Sequence, residues 1–193
     1  QARKKLNVPA TDFVISFSCN SPSQNPWKNY NLVEDIVQIL ANSHKSKNIT
    51  FLIMGEDGES TSYNHICLKK LGWLHDKRDV AEVYQASDVY LHPTKADTYP
   101  NVILEAMSCG TPVIASDVGG IPEQITDQVD GRILPNQPEI FASAIKEIIV
   151  DDQKRNNFAK QSLYKARKLF NESDMIDKYH DWYLQGISDF SRN

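Results

Sequence analysis

The sequence predicts a doubly wound α/β domain, a parallel sheet with helices on both faces. Three observations carry that expectation. Short apolar runs alternate with segments of helical periodicity along most of the chain. Runs such as residues 49–54 have no polar side, as strands covered on both faces require. Gly, Pro, Asn and Asp punctuate the junctions between them.

Residues 13–17 form the first apolar run. A turn-rich stretch follows, in which Asn25 is placed to cap a helix and Pro26 to open it. Trp27, Leu32, Val33, Ile36, Val37 and Leu40 then recur at helical spacing. Residues 49–54 are the second strand and lead into Gly55-Glu56-Asp57-Gly58, read as a solvated acidic turn. Residues 76–86 read as a short helix, 88–91 as a strand, and 100–109 as a helix closed by Gly110. Residues 112–115 are again a strand, and Gly119-Gly120-Ile121-Pro122 opens another helix. After the turn at Asp130-Gly131, residues 132–134 are the last strand. Three helical stripes close the chain: Phe141, Ile145, Ile148 and Ile149; then Phe158, Ala166 and Leu169; then Met175, Ile176, Tyr179, Trp182 and Tyr183. With no repeat, linker or low-complexity segment, residues 1–193 read as one domain.

Composition narrows the function classes. A chain of 193 residues with 40% hydrophobic content supports one ordinary domain. Its net charge of −4 argues against bulk nucleic-acid binding, which needs a basic surplus. No apolar run approaches the 18 or so residues of a membrane span. Gln1-Ala2-Arg3-Lys4-Lys5-Leu6 has no apolar signal-peptide core, and a start at Gln1 reads as part of a longer chain. Cys19, Cys67 and Cys109 are scattered among apolar neighbours and read as reduced core thiols, which points to the cytoplasm.

Open parallel sheets bind ligands outside the carboxyl ends of their strands. The loop after Leu91 is unusual there. Asp97 precedes the N-terminus of the 100–109 helix and Glu105 lies inside it, so two carboxylates could face one cleft. The amides of Thr98, Tyr99, Asn101 and Val102 lie at the positive end of that helix, which suits phosphate. Glu105 also interrupts an otherwise apolar run, where a carboxylate needs a partner. On spacing alone, a capping Asp97 and a solvated Glu105 remain an alternative. Gly119-Gly120 at a strand-to-helix junction would let a ligand approach the backbone, or would simply form a tight turn.

Residues 88–123, DVYLHPTKADTYPNVILEAMSCGTPVIASDVGGIPE, resemble the signature of family 4 glycosyltransferases, retaining enzymes of the GT-B fold. The likeness lies in an acid, seven residues and Glu, then a small-residue helix end and a Gly-Gly-Ile-Pro-Glu loop. It implies a Rossmann-like domain, the C-terminal half of such an enzyme, and runs from Phe13 to Tyr183. By that resemblance Glu105 binds the ribose hydroxyls of a nucleotide, and Asp97 hydrogen-bonds the transferred sugar. The amides after Asp97 hold sugar hydroxyls and the distal phosphate, and the Gly119-Gly120 loop also contributes to donor binding. Lys28 neutralises the diphosphate, and Gly72-Trp73-Leu74 edges the base pocket. Without the resemblance, Lys28 would read as a surface lysine; Trp73 could stack on a base or fill the core edge, and His92, at a strand end near the site, reads as structural. Family members also return a C-terminal helix towards their N-terminal half, a role open to the Trp182-Tyr183 stripe.

Three departures stand out. Asp97 replaces the family's usual Glu and has a shorter reach; Pro100 replaces a Gly and removes one N–H; and Cys19-Asn20 replaces a Gly-Arg that would supply a cation. The expected function is binding of a nucleoside-diphosphate sugar for retaining transfer of a hexose-type sugar to an acceptor such as a growing glycan or lipid, as in polysaccharide biosynthesis. Lys28 and Asp97 are the candidate catalytic residues. No cofactor or metal is expected, since the acids are spaced for different parts of the donor. The acceptor domain would be the missing N-terminal half, so this chain alone should bind but not transfer. The cytoplasm is the expected location, either free or at a membrane surface through the absent half. A non-catalytic nucleotide or nucleotide-sugar binding module is the alternative. A nucleotide-sugar epimerase would need acid/base groups spanning the cleft, and none specific to it is seen.

Overall fold

A computed structural model of the chain describes residues 1–19, 25–43 and 47–190. The doubly wound sheet is present and larger than the sequence suggests, with seven strands rather than five. In chain order they are β1 (Phe13–Ser18), β2 (Ile49–Met54), β3 (Thr61–Tyr63), β4 (Ile66–Lys70), β5 (Val89–His92), β6 (Val113–Ser116) and β7 (Gly131–Leu134). Their spatial order is β3-β4-β2-β1-β5-β6-β7, with only the edge strand β3 antiparallel to its neighbour. The β3–β4 hairpin escapes sequence reading because all three residues of Thr61–Tyr63 are exposed and β4 ends in two lysines.

The helices are α1 (Ala2–Lys5), α2 (Tyr30–Ala41), α3 (Lys77–Ala86), α4 (Asn101–Ser108), α5 (Ile121–Gln124), α6 (Pro138–Val150), α7 (Asp152–Leu169) and α8 (Glu172–Phe190). Side-chain alternation along β1 sorts them. Phe13, Ile15 and Phe17 face α2 and α6, where Ile36, Phe141 and Ile145 are buried with them. Val14 and Leu52 face the other way, towards Val83 of α3 and Ile103, Ala106 and Met107 of α4. On that second face the strands turn polar at their carboxyl ends, where Ser16, Ser18, Tyr90 and His92 replace apolar residues.

Four local expectations need correction. Asn25 caps a separate 3-10 turn, Pro26–Lys28, with its Oδ1 accepting from Trp27 N at 3.1 Å. The helix restarts only after Asn29 adopts a left-handed conformation (φ 54°), so Lys28 and Trp27 precede α2 and Trp27 is exposed. Glu56 is not a solvated turn residue: its Oε1 meets Lys70 Nζ at 2.7 Å. Leu169 is exposed at the end of α7, and the last stripe is exposed too, since no residue of α8 is buried. Asn20, with most of the turn-rich stretch, lies outside the described residues.

Cys19 is buried, and burial pushes its thiol up to about 12, so it stays protonated; Cys67 and Cys109 are also free thiols. No helix is long and apolar enough to cross a membrane among the described residues. Phe141 is fully buried between α6 and the sheet. Truncation to alanine should cost about 3–5 kcal/mol of stability, as for other large core side chains. Urea denaturation of Phe141→Ala checks this, and a loss below about 1 kcal/mol would show that this face is loosely packed.

Candidate functional site

The strand order reverses between β1 and β5. From β1 the chain moves out to β2 and β4, then crosses back to lay β5 on the other side of β1. The loops leaving these two neighbours therefore diverge and open a crevice at their carboxyl ends, where such sheets hold ligands. A cleft of about 280 Å³ lies there, lined by Ser18, Cys19, Lys28, Met54, Gly55, Trp73, Leu74, Val80, Tyr84, Val102 and Glu105. Leu74, Val80, Tyr84 and Glu105 are shared with an adjoining hollow that reaches Asn101. Another hollow, of about 340 Å³, lies along α2 and the β3–β4 hairpin at the edge of the sheet, away from this crevice.

The structure thus brings Lys28, Trp73, Leu74, Val102 and Glu105 into one wall. Glu105 is exposed rather than embedded, because the short α4 buries Ile103, Ala106 and Met107 and turns Glu105 to the opening. The partner its setting calls for is Tyr84, whose Oη donates to Glu105 Oε2 at 3.3 Å. Burial keeps Tyr84 protonated, with its pKa well above the usual tyrosine range. Nothing in the α3 stripe of Val80, Val83 and Tyr84 marks this tyrosine as different from its apolar neighbours.

Asp97 stands behind Lys28 rather than in the wall. Its Oδ2 accepts from Lys28 Nζ at 3.1 Å and lies 3.5 Å from His92 Nε2. The His92 imidazole and the Lys28 ammonium together hold its carboxyl at about 2. Two further bonds fix the loops that carry this pair. Thr94 Oγ1 and Lys95 N both donate to the Trp27 carbonyl, each at 2.8 Å, which locks the 3-10 turn onto the loop after β5. Asn136 Nδ2 donates to Thr94 O at 2.9 Å, while Asn136 Oδ1 lies 2.6 Å from Ser116 Oγ, so the ends of β6 and β7 brace the same loop.

Pro100 is the N-cap of α4 rather than its first residue. Among the described residues, the N–H groups of Thr98, Tyr99, Asn101 and Val102 donate to no protein acceptor. Gly119 and Gly120 let two stretches of the chain's own backbone approach closely. A Cβ at Gly119 would lie 1.8 Å from Asp97 O, and one at Gly120 would lie 2.1 Å from Thr98 O. The Gly120 N–H is already spent on Thr98 O at 2.8 Å. The close approach is the chain's own, and it clamps the Asp97 loop. Gly72 is likewise committed, with its N–H on Glu56 O and its carbonyl on Gly55 N, so it holds the rim while Trp73 and Leu74 line it.

A seven-stranded, mostly parallel sheet with a cleft at its switch point defines a Rossmann-like domain of the kind found in GT-B glycosyltransferases. Residues 13–151 match the family described as Glycosyl transferases group 1, and the chain belongs to that family. The D-inositol 3-phosphate glycosyltransferase of Mycobacteroides abscessus is 34% identical over 112 residues, covering 58% of this chain and 25% of its own length. That of Stackebrandtia nassauensis is 26% identical over 204 residues, covering 93% of this chain and 44% of its own. The chain therefore spans less than half the length of these curated relatives. HepE of Anabaena, solved in complex with UDP-glucose, superimposes with a TM-score of 0.77 at 24% identity, over 95% of this chain and 51% of HepE.

The Asp97 carboxyl sets an acid limit. An unfolded aspartate titrates near pH 4, above its folded value of about 2. The unfolded state therefore binds more protons in that window, so this contribution is complete above about pH 4 and is lost as the pH falls towards 2. The melting temperature should fall more steeply between pH 4 and pH 2 in the parent than in Asp97→Asn. Parallel curves from circular dichroism would remove Asp97 from the acid-sensitive groups.

Proposed function

We propose that this chain is the donor-binding half of a retaining, family 4 glycosyltransferase that takes a sugar from a nucleoside diphosphate. One observation carries the reading: Lys28 and Glu105 line the same cleft at the switch point, beside unpaired amides at the start of α4. A nucleoside diphosphate has a hydroxylated ribose next to a charged group, and the cleft offers an acceptor and a cation in matching order. Glu105, held by Tyr84, takes the ribose hydroxyls. Lys28 and the amides of Thr98, Tyr99, Asn101 and Val102 take the phosphates, where leaving-group charge develops during transfer. Trp73 and Leu74 bound the base, and Asp97 meets the sugar.

The seven residues between Asp97 and Glu105 support the retaining family, and the UDP-glucose complex of HepE makes uridine nucleotides the natural probes. Charge on the diphosphate is met by Lys28 and the amides, without a metal. The acceptor wall belongs to the length of the relatives that this chain does not match. Orientation of two reactants is worth several kcal/mol of barrier, so the chain alone binds donor without transferring it.

UDP should bind this chain with a dissociation constant of about 0.1–1 mM, or roughly −4 to −5.5 kcal/mol, unchanged by EDTA. Glu105→Gln should weaken it by about 1–3 kcal/mol, the scale of a hydrogen bond to a charged group. Unchanged affinity in calorimetry would sink the ribose role. Lys28→Ala should weaken UDP much more than uridine, and equal losses for the two would mean that the lysine acts through folding. UDP binding by a longer chain that carries the rest of the relatives' length, with no transfer detected by mass spectrometry, would instead identify a non-catalytic binding module.

A further inference from the structure

His92 closes β5 with 1% of its surface exposed, so both ring nitrogens must be satisfied from within. Nδ1 lies 3.3 Å from Tyr90 Oη, and that hydroxyl lies 2.5 Å from Ser18 Oγ in the cleft wall. Nε2 makes no hydrogen bond. It faces Asp97 Oδ2 at 3.5 Å, the oxygen that also takes Lys28. Burial lowers the pKa of the ring, so it carries a single proton near neutral pH, and burial likewise keeps Tyr90 protonated.

Only one placement of that proton suits the surroundings. With the proton on Nδ1, the bare lone pair of Nε2, on a buried ring, would face a carboxylate oxygen, which is repulsive. With the proton on Nε2, Ser18 donates to Tyr90, Tyr90 donates to Nδ1, and Nε2–H points at Asp97. The Ser18 and Tyr90 hydroxyls then each have an acceptor, and the Nε2 proton faces the anion, 3.5 Å from Asp97 Oδ2.

We infer that His92 is a positioning residue that orients the Asp97 carboxylate from behind. It holds Oδ2 inward with Lys28 and leaves Oδ1, which has no partner among the described residues, for a hydroxyl of the bound sugar. The inference rests on the donor-binding reading above. It also gives the buried serine, tyrosine and histidine a shared purpose, as a strut from the cleft wall to the acid.

The tautomer test needs no variant and no donor. Imidazole ¹⁵N NMR at pH 7 should show His92 protonated on Nε2 alone. A proton on Nδ1, or a mixture of tautomers, overturns the inference. The second arm measures the ratio of UDP-glucose affinity to UDP affinity. His92→Phe should lower that ratio at least fivefold while leaving UDP within twofold, and His92→Gln, whose amide can reach the place of Nε2, should restore it. His92→Asn, which fills the Tyr90 side only, should behave like the phenylalanine variant and replaces it if that variant does not fold. A ratio unmoved in these variants but lowered by Asp97→Ala overturns the role of His92 and leaves the donor reading standing. A ratio unmoved by Asp97→Ala as well overturns the sugar role of Asp97, and with it the inference.

Discussion

The site depends on where the chain changes direction across its sheet. Because β2 and β5 flank β1 on opposite sides, the connections leaving β1 and β5 have no reason to cover each other, and a gap opens between them. Lys28 comes from the first connection and Asp97 from the second. Their ion pair spans residues 69 positions apart in sequence yet 3.1 Å apart in space. Neither loop has regular structure over its whole length, so bonds outside the ladder must hold them. Thr94 and Lys95 grip the Trp27 carbonyl, Asn136 braces Thr94, and Gly119-Gly120 presses on Asp97 and Thr98. Four strand ends thereby fix one pair of charges.

That arrangement explains which parts of the molecule were legible from sequence. Buried parallel strands such as Ile49–Met54 have no polar face and can hardly be anything else. The exposed hairpin strand Thr61–Tyr63 carries no such mark, because an edge strand half in water needs no apolar pattern. The family resemblance singles out Lys28, Asp97 and Glu105 but not Tyr84, because the Tyr84 ring fills an ordinary core position and only its hydroxyl reaches Glu105. At Gly119 and Gly120 the absent side chains admit the chain's own Asp97 and Thr98 carbonyls. A missing side chain permits close approach, but whether a ligand or the chain itself makes that approach is a three-dimensional fact.

The place of Glu105 among apolar neighbours follows from how α4 divides its side chains. The helix is only eight residues long and spends its deepest positions on Ile103, Ala106 and Met107. One turn places Val102 and Glu105 together on the side that borders the cleft. An apolar residue and a carboxylate at three-residue spacing are what a ligand with a ring and hydroxyls would meet.

The pairing of Lys28 with Asp97 has an electrostatic consequence for any phosphate that enters. The cation is already neutralised, so an incoming anion competes with a carboxylate that is itself held by a second group. Partly exposed ion pairs of this kind are worth at most about 1 kcal/mol, whereas charge-assisted bonds to phosphate are roughly twice as strong as neutral ones. Lys28 need not leave Asp97 to meet a phosphate, since an ammonium has three donors. Asp97, with His92 behind it, then keeps its orientation as the field in front of it changes. Within this pair, neither the Lys28 ammonium nor the Asp97 carboxylate is left without a counter-charge when the cleft is empty.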